Sequence, residues 1–108
     1  MSRSDAERLR DAQFHLEILD SHMQKAGLDD QTVADAVCLR LASAIECVAD
    51  LSTELRAQAF GEDWPLIWAT RNRIAHGYAT IDLSIIKATV RDDLSTRSSQ
   101  TALYSSRA

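Results

Sequence analysis

Apolar residues recur at every third or fourth position along most of this chain, and that spacing constrains its fold more than any other feature. One stripe occupies the first 26 residues, a second spans residues 31–58, and shorter ones follow. This period places apolar side chains on one face of an α-helix, whereas a half-buried strand alternates every second residue. The chain also has only 3 Gly and 1 Pro. That is too few turn formers for a sandwich or barrel, so the sequence predicts an all-α fold.

Local signals predict the ends of the first two helices. Ser4-x-x-Glu7 is a capping-box pattern and Gly27 follows the last turn, which predicts a helix over about 5–26. Asp29-Asp30 offers the next N-cap, and the apolar period then continues over about 31–58. We therefore expect one long second helix, which ends before the Gly61-Glu62-Asp63 segment.

Two shorter helices complete the predicted architecture. Pro65 suits a first helical turn and Gly77 a helix end, which predicts a third helix over about 65–76. Asp82 caps a fourth. We expect an antiparallel, up-down bundle of four or five helices forming one domain over 1–94. Residues 95–108 contain five serines and no apolar period, and are expected to be a flexible tail.

The charge is unevenly divided along the chain. Residues 1–63 hold 13 of the 16 acidic and 6 of the 12 basic residues, a net charge of −7, whereas residues 64–108 carry +3. The total of −4 alone would disfavour a nucleic-acid partner, but the basic second part leaves RNA possible.

The compartment is indicated by the cysteines and by the lack of a leader pattern. Cys38 and Cys47 are nine residues apart on one predicted helix and face opposite sides, which excludes a disulfide between them within that helix. Free thiols suit a reducing cytoplasm. The N-terminus lacks the apolar core of a signal peptide, and no segment approaches the ~18 apolar residues of a membrane span. A cytoplasmic protein is expected.

The densest group of polar side chains lies at the end of the third predicted helix. Residues 71–78 read Arg-Asn-Arg-Ile-Ala-His-Gly-Tyr. An imidazole transfers protons near neutral pH, and a guanidinium binds a phosphate and stabilises the charge that develops during its transfer. Arg71 and His76 are thus candidates for metal-free RNA cleavage with a 2′-hydroxyl as nucleophile. Helix capping and surface charge is the alternative explanation.

Helix geometry restricts how Arg71 and His76 act together. Five residues turn a helix by about 500°, which leaves the two side chains about 140° apart. Asn72 and His76 share a face. Either the helix ends before His76 and a loop turns the imidazole inward, or two chains of a symmetric dimer contribute to one site.

Other candidates are weaker. Glu46, among small residues of the second helix, is either a solvated carboxylate or part of the site. His15 and His22 share a helix face, but no third ligand stands at metal spacing, so no metal site is expected. Trp68 precedes Arg71 by one turn; core packing is its expected role, and stacking on the guanidinium is the alternative.

Arg71-x4-His76-x-Tyr78 resembles the R-x4-H-x-Y signature of the HepT-like toxins, a branch of the HEPN ribonuclease superfamily. The resemblance extends over about residues 5–94. It continues, in the family's order, through Asp35-Ala36-Val37, Arg40-Leu41, Ala44-Ile45-Glu46, Asp50-Leu51-Ser52, Trp68, Ile81-Asp82 and Asp92-Asp93-Leu94. It implies a HEPN-like bundle that acts as a homodimer with its active cleft on the two-fold axis. The family usually continues with a further amphipathic stretch, which residues 95–108 lack.

The resemblance implies an endoribonuclease that is the toxin of a toxin–antitoxin system and needs no metal or other cofactor. Arg71 and His76 would be catalytic. Tyr78 would lie at the cleft as the target of an MntA-type nucleotidyltransferase antitoxin. AMP on that tyrosine would place a bulky anion where RNA phosphate must sit. The supporting or RNA-binding positions would be Asn72, Arg73 and Glu46.

Two other functions stay open on the sequence. Related helical proteins bind substrate for a nucleotidyltransferase without catalysis, and Arg71 and Arg73 would then hold a nucleotide phosphate. A structural dimerisation module is the third possibility. Growth arrest on expression of the chain alone is expected for the toxin and not for the non-catalytic companion.

Overall fold

The computed structural model describes residues 4–77 and 83–90 of the chain. These form α1 (Asp5–Lys25), α2 (Gln31–Ala49), α3 (Thr53–Phe60), a 3₁₀ turn (Gly61–Asp63), α4 (Trp64–Gly77) and α5 (Leu83–Ala88). The all-α prediction is confirmed. The expected cap at Asp82 and the expected flexible tail over residues 95–108 lie outside the described residues.

Helix α1 begins where the capping pattern predicts. The Glu7 amide donates to Ser4 Oγ at 3.2 Å, and the Glu7 carboxylate accepts from the Ser4 amide at 3.3 Å. Both halves of a capping box are therefore formed, which satisfies two amides that have no partner within the helix. The buried face of α1 consists of Leu9, Ala12, Leu16 and Leu19.

The single helix predicted over 31–58 is wrong, because the chain breaks between α2 and α3. Ser52 has extended backbone and its Oγ accepts from the Leu55 amide, so it is the N-cap of a new helix. Side chains from elsewhere satisfy the backbone groups that the break exposes: Asp5 accepts from the Ser52 amide at 2.9 Å, and Arg8 donates to the Asp50 carbonyl. Arg56 donates to the Ala49 carbonyl at 2.7 Å. The break is thus stabilised mainly by contacts that the local period does not reveal.

Contacts between α1 and α2 show that the two helices are antiparallel. Asp5 and Arg8, at the start of α1, contact residues 50–52, at the end of α2. Further along, Arg40 contacts His15. The hydrophobic core lies between α1, α2, α4 and α5. Its largest fully buried side chains are Leu9, Leu19, Val37, Cys38, Leu41, Ile45, Val48, Ile67 and Ile86.

Helix α4 carries the polar segment and packs on α2. It begins at Trp64 with Pro65 in its first turn, and it ends at Gly77, whose φ of 124° disfavours any residue with a side chain. The predicted range of 65–76 is right to within one residue at each end. Ile67 and Thr70 are its buried residues. Within the described ranges, no helix is long and apolar enough to cross a membrane.

Candidate functional site

The Arg71 side chain is held against α2 by Glu46. Its Nε and Nη2 donate to the same carboxylate oxygen, Oε1, at 3.0 and 2.9 Å. The two side chains are 30% and 51% exposed. An ion pair this exposed contributes at most about 1 kcal/mol to stability. Its main consequence is geometric, because it fixes the orientation of the guanidinium.

Two neighbours on α4 also contact the guanidinium. Asn72 Oδ1 accepts from Arg71 Nη1 at 3.2 Å. The group also lies over the Trp68 ring, with Arg71 Cζ 5.0 Å from the ring centroid. Trp68 also packs against the hydrophobic core as a partly buried residue. Both roles considered for it from the sequence are therefore realised. We call Glu46, Trp68, Arg71 and Asn72 the arginine cluster.

His76 is exposed and lies within α4, which continues without a break to Gly77. One of the two arrangements expected from the sequence, a helix that ends before His76, is therefore wrong. On a continuous helix the imidazole lies about 140° around the axis from Arg71. The Arg71 side chain extends to Glu46 on α2, and no contact among the described residues joins it to His76, so a single chain does not bring the two catalytic candidates together.

Arg73 lies apart from the arginine cluster. Two residues turn a helix by about 200°, so Arg73 and Arg71 project from nearly opposite sides of α4. Arg73 lines a groove of about 400 Å³ between α4 and α5. The wall of this groove includes Thr70 and Thr89, whose hydroxyls donate to the carbonyls of Leu66 and Ile85 at 3.1 and 2.8 Å. Arg71 and Arg73 therefore lie on different surfaces of one chain.

His15 has a partner other than a metal. Its Nδ1 lies 3.1 Å from Nη1 of Arg40, which can only donate, so this nitrogen carries no proton in the pair. Burial lowers the pKa of His15 from 6.5, and the Arg40 charge adds to that effect. Among the residues that the structure describes, no three His, Cys, Asp or Glu side chains form a group that could hold a metal ion.

The fold and the arginine cluster define an all-helical bundle that presents an oriented guanidinium on its α4 helix. A family model, ribonuclease HepT-like, matches residues 7–102. Searches of curated proteins and of solved structures found no match. Because the family match covers most of the chain, this protein belongs to the HepT-like ribonuclease family, within the HEPN superfamily. The resemblance read from the sequence, and the HEPN-like fold that it implied, are confirmed.

Two parts of the site remain, the predicted modification target Tyr78 and the groove beside Arg73. Tyr78, the predicted modification target, lies outside the described residues. The groove beside Arg73 was not predicted, although its α4 wall follows a helical spacing, with Leu66, Ala69, Thr70 and Arg73 on one side. Leu66 is 71% exposed, so the spacing does not mark a buried face there.

Proposed function

We propose that this protein is the toxin of a toxin–antitoxin pair, a metal-independent endoribonuclease that cleaves RNA as a homodimer in the cytoplasm. The observation that carries the proposal is the Arg71 guanidinium, oriented by Glu46 in a chain of a ribonuclease family. An oriented guanidinium is suited to bind a phosphodiester and to stabilise the charge that develops on it.

The reaction requires two proton transfers around one phosphate. The 2′-oxygen attacks phosphorus while its proton passes to a base, and the bond to the 5′-oxygen breaks as that oxygen takes a proton from an acid. The products are a 2′,3′-cyclic phosphate and a 5′-hydroxyl end. His76 is the residue proposed for these transfers, since an imidazole is both base and acid near neutral pH. Arg71 binds the non-bridging oxygens, and Asn72 and Glu46 support it.

A dimer accounts for the separation of Arg71 and His76 on α4. Because the helix continues past His76, one chain leaves these side chains on different faces. A two-fold axis beside α4 would bring two copies of the motif to one cleft, so that Arg71 meets His76 of the partner subunit. The exposure of His76 in a single chain is compatible with that arrangement.

Cleavage of RNA by the purified chain in excess chelator tests the proposal. His76→Ala and Arg71→Ala should each lower the rate by about 100-fold or more. His22→Ala and Arg10→Ala, on α1, are matched controls and should retain activity. Unchanged cleavage by His76→Ala would refute its assignment as a catalytic residue. A wild-type chain that binds nucleotide without cleaving RNA would instead support the companion of a nucleotidyltransferase.

Mixing two inactive variants tests the shared site. After subunit exchange, a heterodimer of Arg71→Ala and His76→Ala has one pairing in which both residues are intact, provided that each site draws them from different chains. The mixture should then recover up to a quarter of the wild-type activity, because about half of the dimers are mixed and each has one working pairing. No recovery, with exchange demonstrated, would mean that each chain supplies both residues.

The proposed regulator is a nucleotidyltransferase antitoxin that adds AMP to Tyr78. In such a step the phenolic oxygen attacks the α-phosphorus of ATP, pyrophosphate leaves and the phenolic proton is lost to water. The added anion would repel RNA and block the cleft. Intact mass after expression with and without the antitoxin should differ by AMP units on a peptide containing Tyr78. Tyr78→Phe should abolish the shift, whereas Tyr104→Phe should not.

A further inference from the structure

Three aromatic side chains form a row that leads from the core to the motif. Phe60, which is buried, lies 6.5 Å from Trp64, and Trp64 lies 5.8 Å from Trp68, between ring centroids. The rings follow at four-residue intervals through the end of α3, the 3₁₀ turn and the start of α4. Neighbouring rings of the row contact each other, and the Arg71 guanidinium lies over the last of them.

The same row carries a second arginine at the same distance. Arg56 Cζ lies 5.0 Å from the centroid of the Trp64 ring, and Arg71 Cζ lies 5.0 Å from that of Trp68. The two arginines differ in what their N–H groups do. Arg56 donates to the Ala49 carbonyl and so stabilises the end of α2. Arg71 instead donates to two side chains, those of Glu46 and Asn72, and to no backbone carbonyl among the described contacts.

Counting the donors of Arg71 shows what remains for a ligand. A guanidinium has five N–H groups. Among the described contacts, Glu46 takes one from Nε and one from Nη2, and Asn72 takes one from Nη1. Two N–H groups are left, one on each terminal nitrogen. A bidentate pair with a phosphate can use one N–H from each terminal nitrogen, which is the number that these contacts leave.

We propose that Trp68 is a positioning residue of the ribonuclease, which holds the Arg71 guanidinium in the plane where its two remaining N–H groups face the RNA phosphate. The proposal rests on the function proposed above. Glu46 and Asn72 bind edges of the group, and neither prevents it from tilting about the line that joins them. The Trp68 ring, over which the guanidinium lies, restricts that tilt. A positively charged planar group on an aromatic face is also favourable in itself.

The alternative is that Trp68 only fills space in the core, and Trp64 provides the matched control. Both tryptophans are partly buried against the core, and both carry an arginine at the same distance. Trp68→Leu and Trp64→Leu should therefore lose similar stability. Only Trp68→Leu should lower kcat/KM for RNA cleavage, by about tenfold or more, because misplaced catalytic groups lose rate steeply. Trp68→Phe keeps a ring face and should recover most of that loss.

A spectroscopic measurement separates the positioning role from catalysis. The ¹⁵Nε–Hε signal of Arg71 in the intact dimer should report a restrained guanidinium in wild type and in Trp64→Leu. It should broaden or vanish in Trp68→Leu. In the reverse direction, Arg71→Ala should shift the ring resonances of Trp68, and Arg56→Ala those of Trp64. This second comparison needs no tryptophan substitution, so it holds even if Trp68→Leu fails to fold.

The outcomes distinguish the two proposals. If Trp68→Leu keeps both the restrained Arg71 signal and wild-type kcat/KM, Trp68 is a core residue only and the ribonuclease proposal stands. If the Arg71 signal depends on Trp68 but the wild-type chain cleaves no RNA, the positioning role stands and the ribonuclease proposal falls. Equal losses of kcat/KM in Trp64→Leu and Trp68→Leu would overturn the positioning role.

Discussion

A single oxygen of Glu46 accepts two hydrogen bonds from Arg71, one from Nε and one from Nη2, across the contact between α2 and α4. A carboxylate that uses both oxygens would match the arginine fork edge to edge. Here the second oxygen takes part in neither bond. Glu46 therefore fixes the orientation of the guanidinium through one of its two oxygens.

Replacing Glu46 by Gln tests this relationship. The amide oxygen still accepts a hydrogen bond, but the negative charge is gone and the amide nitrogen repels the guanidinium. We expect stability to change by less than about 1 kcal/mol, since both side chains of the pair are partly exposed to solvent. RNA cleavage should fall by about tenfold or more, because the catalytic guanidinium loses its fixed position. Urea unfolding and initial cleavage rates measure the two effects.

Glu17→Gln is the control for that variant. Glu17 is an exposed carboxylate on α1, so its replacement removes the same charge from the protein away from the arginine cluster. Both variants shift the net charge equally and change long-range attraction of RNA in the same direction. If the two lose or gain activity equally, Glu46 acts only through net charge and its positioning role is excluded.

Arg71→Lys separates charge from geometry. Lysine keeps the positive charge but has a compact ammonium in place of the planar fork. It cannot donate from two nitrogens to Glu46 while presenting two further N–H groups to a phosphate. We expect the fold to be retained and cleavage to fall by about 100-fold, as for removal of one transition-state donor. Arg10→Lys, at an exposed position of α1, should cleave RNA at the wild-type rate; comparable activity in Arg71→Lys would show that charge alone suffices.

Most of the fold was predictable because local signals dominate α1 and α4. The capping box at Ser4 and the Pro65 to Gly77 interval are read directly from the sequence, and the structure has helices there. The break at Ser52 was missed for a physical reason. Apolar spacing continues through Leu51 and Leu55, and the groups that stabilise the break, Asp5 and Arg8, come from a helix more than 40 residues away.

In the candidate site too, contacts within one helix were predictable from the sequence, whereas contacts between helices were not. The Trp68 and Arg71 pair is three residues apart on one helix, and the sequence already indicated stacking as possible. The Glu46 and Arg71 pair joins two helices, so its geometry depends on how α2 and α4 pack. The separation of Arg71 from His76 followed from helix geometry, but only the structure shows that α4 continues through His76 and so excludes a helix that ends before it.

Ser52→Ala tests whether the break between α2 and α3 is specified by its cap. The Ser52 hydroxyl accepts from the Leu55 amide at 3.3 Å, and its loss should cost about 1 kcal/mol of stability. Ser43→Ala is the matched control: Ser43 lies inside α2 and its hydroxyl donates to the Leu39 carbonyl, so alanine should be neutral or slightly stabilising there. Urea midpoints of the two variants that are equally lowered would contradict the cap. RNA cleavage should be unaffected in both.

The stability of the bundle should depend on pH through His15. Burial lowers the pKa of His15 from 6.5, the Arg40 charge adds to this, and Asp11 opposes it more weakly. The unfolded chain then binds the proton more readily than the folded one. The contribution of His15 to the free energy of unfolding is therefore largest above about pH 6.5. It decreases as pH falls through the folded-state pKa and levels off below it.

Comparison with His15→Gln isolates this contribution, because glutamine accepts a hydrogen bond from Arg40 but does not titrate. The free energy of unfolding of wild type, minus that of His15→Gln, should decrease between about pH 7.5 and about pH 5. Arg40→Gln removes one cause of the shift, so it should raise the pKa of His15 and make the decrease smaller. NMR titration of the His15 imidazole measures its pKa directly in wild type and in Arg40→Gln. A difference that stays constant or grows on acidification would mean that protonated His15 is tolerated in the contact between α1 and α2, and that Arg40 does not set its titration.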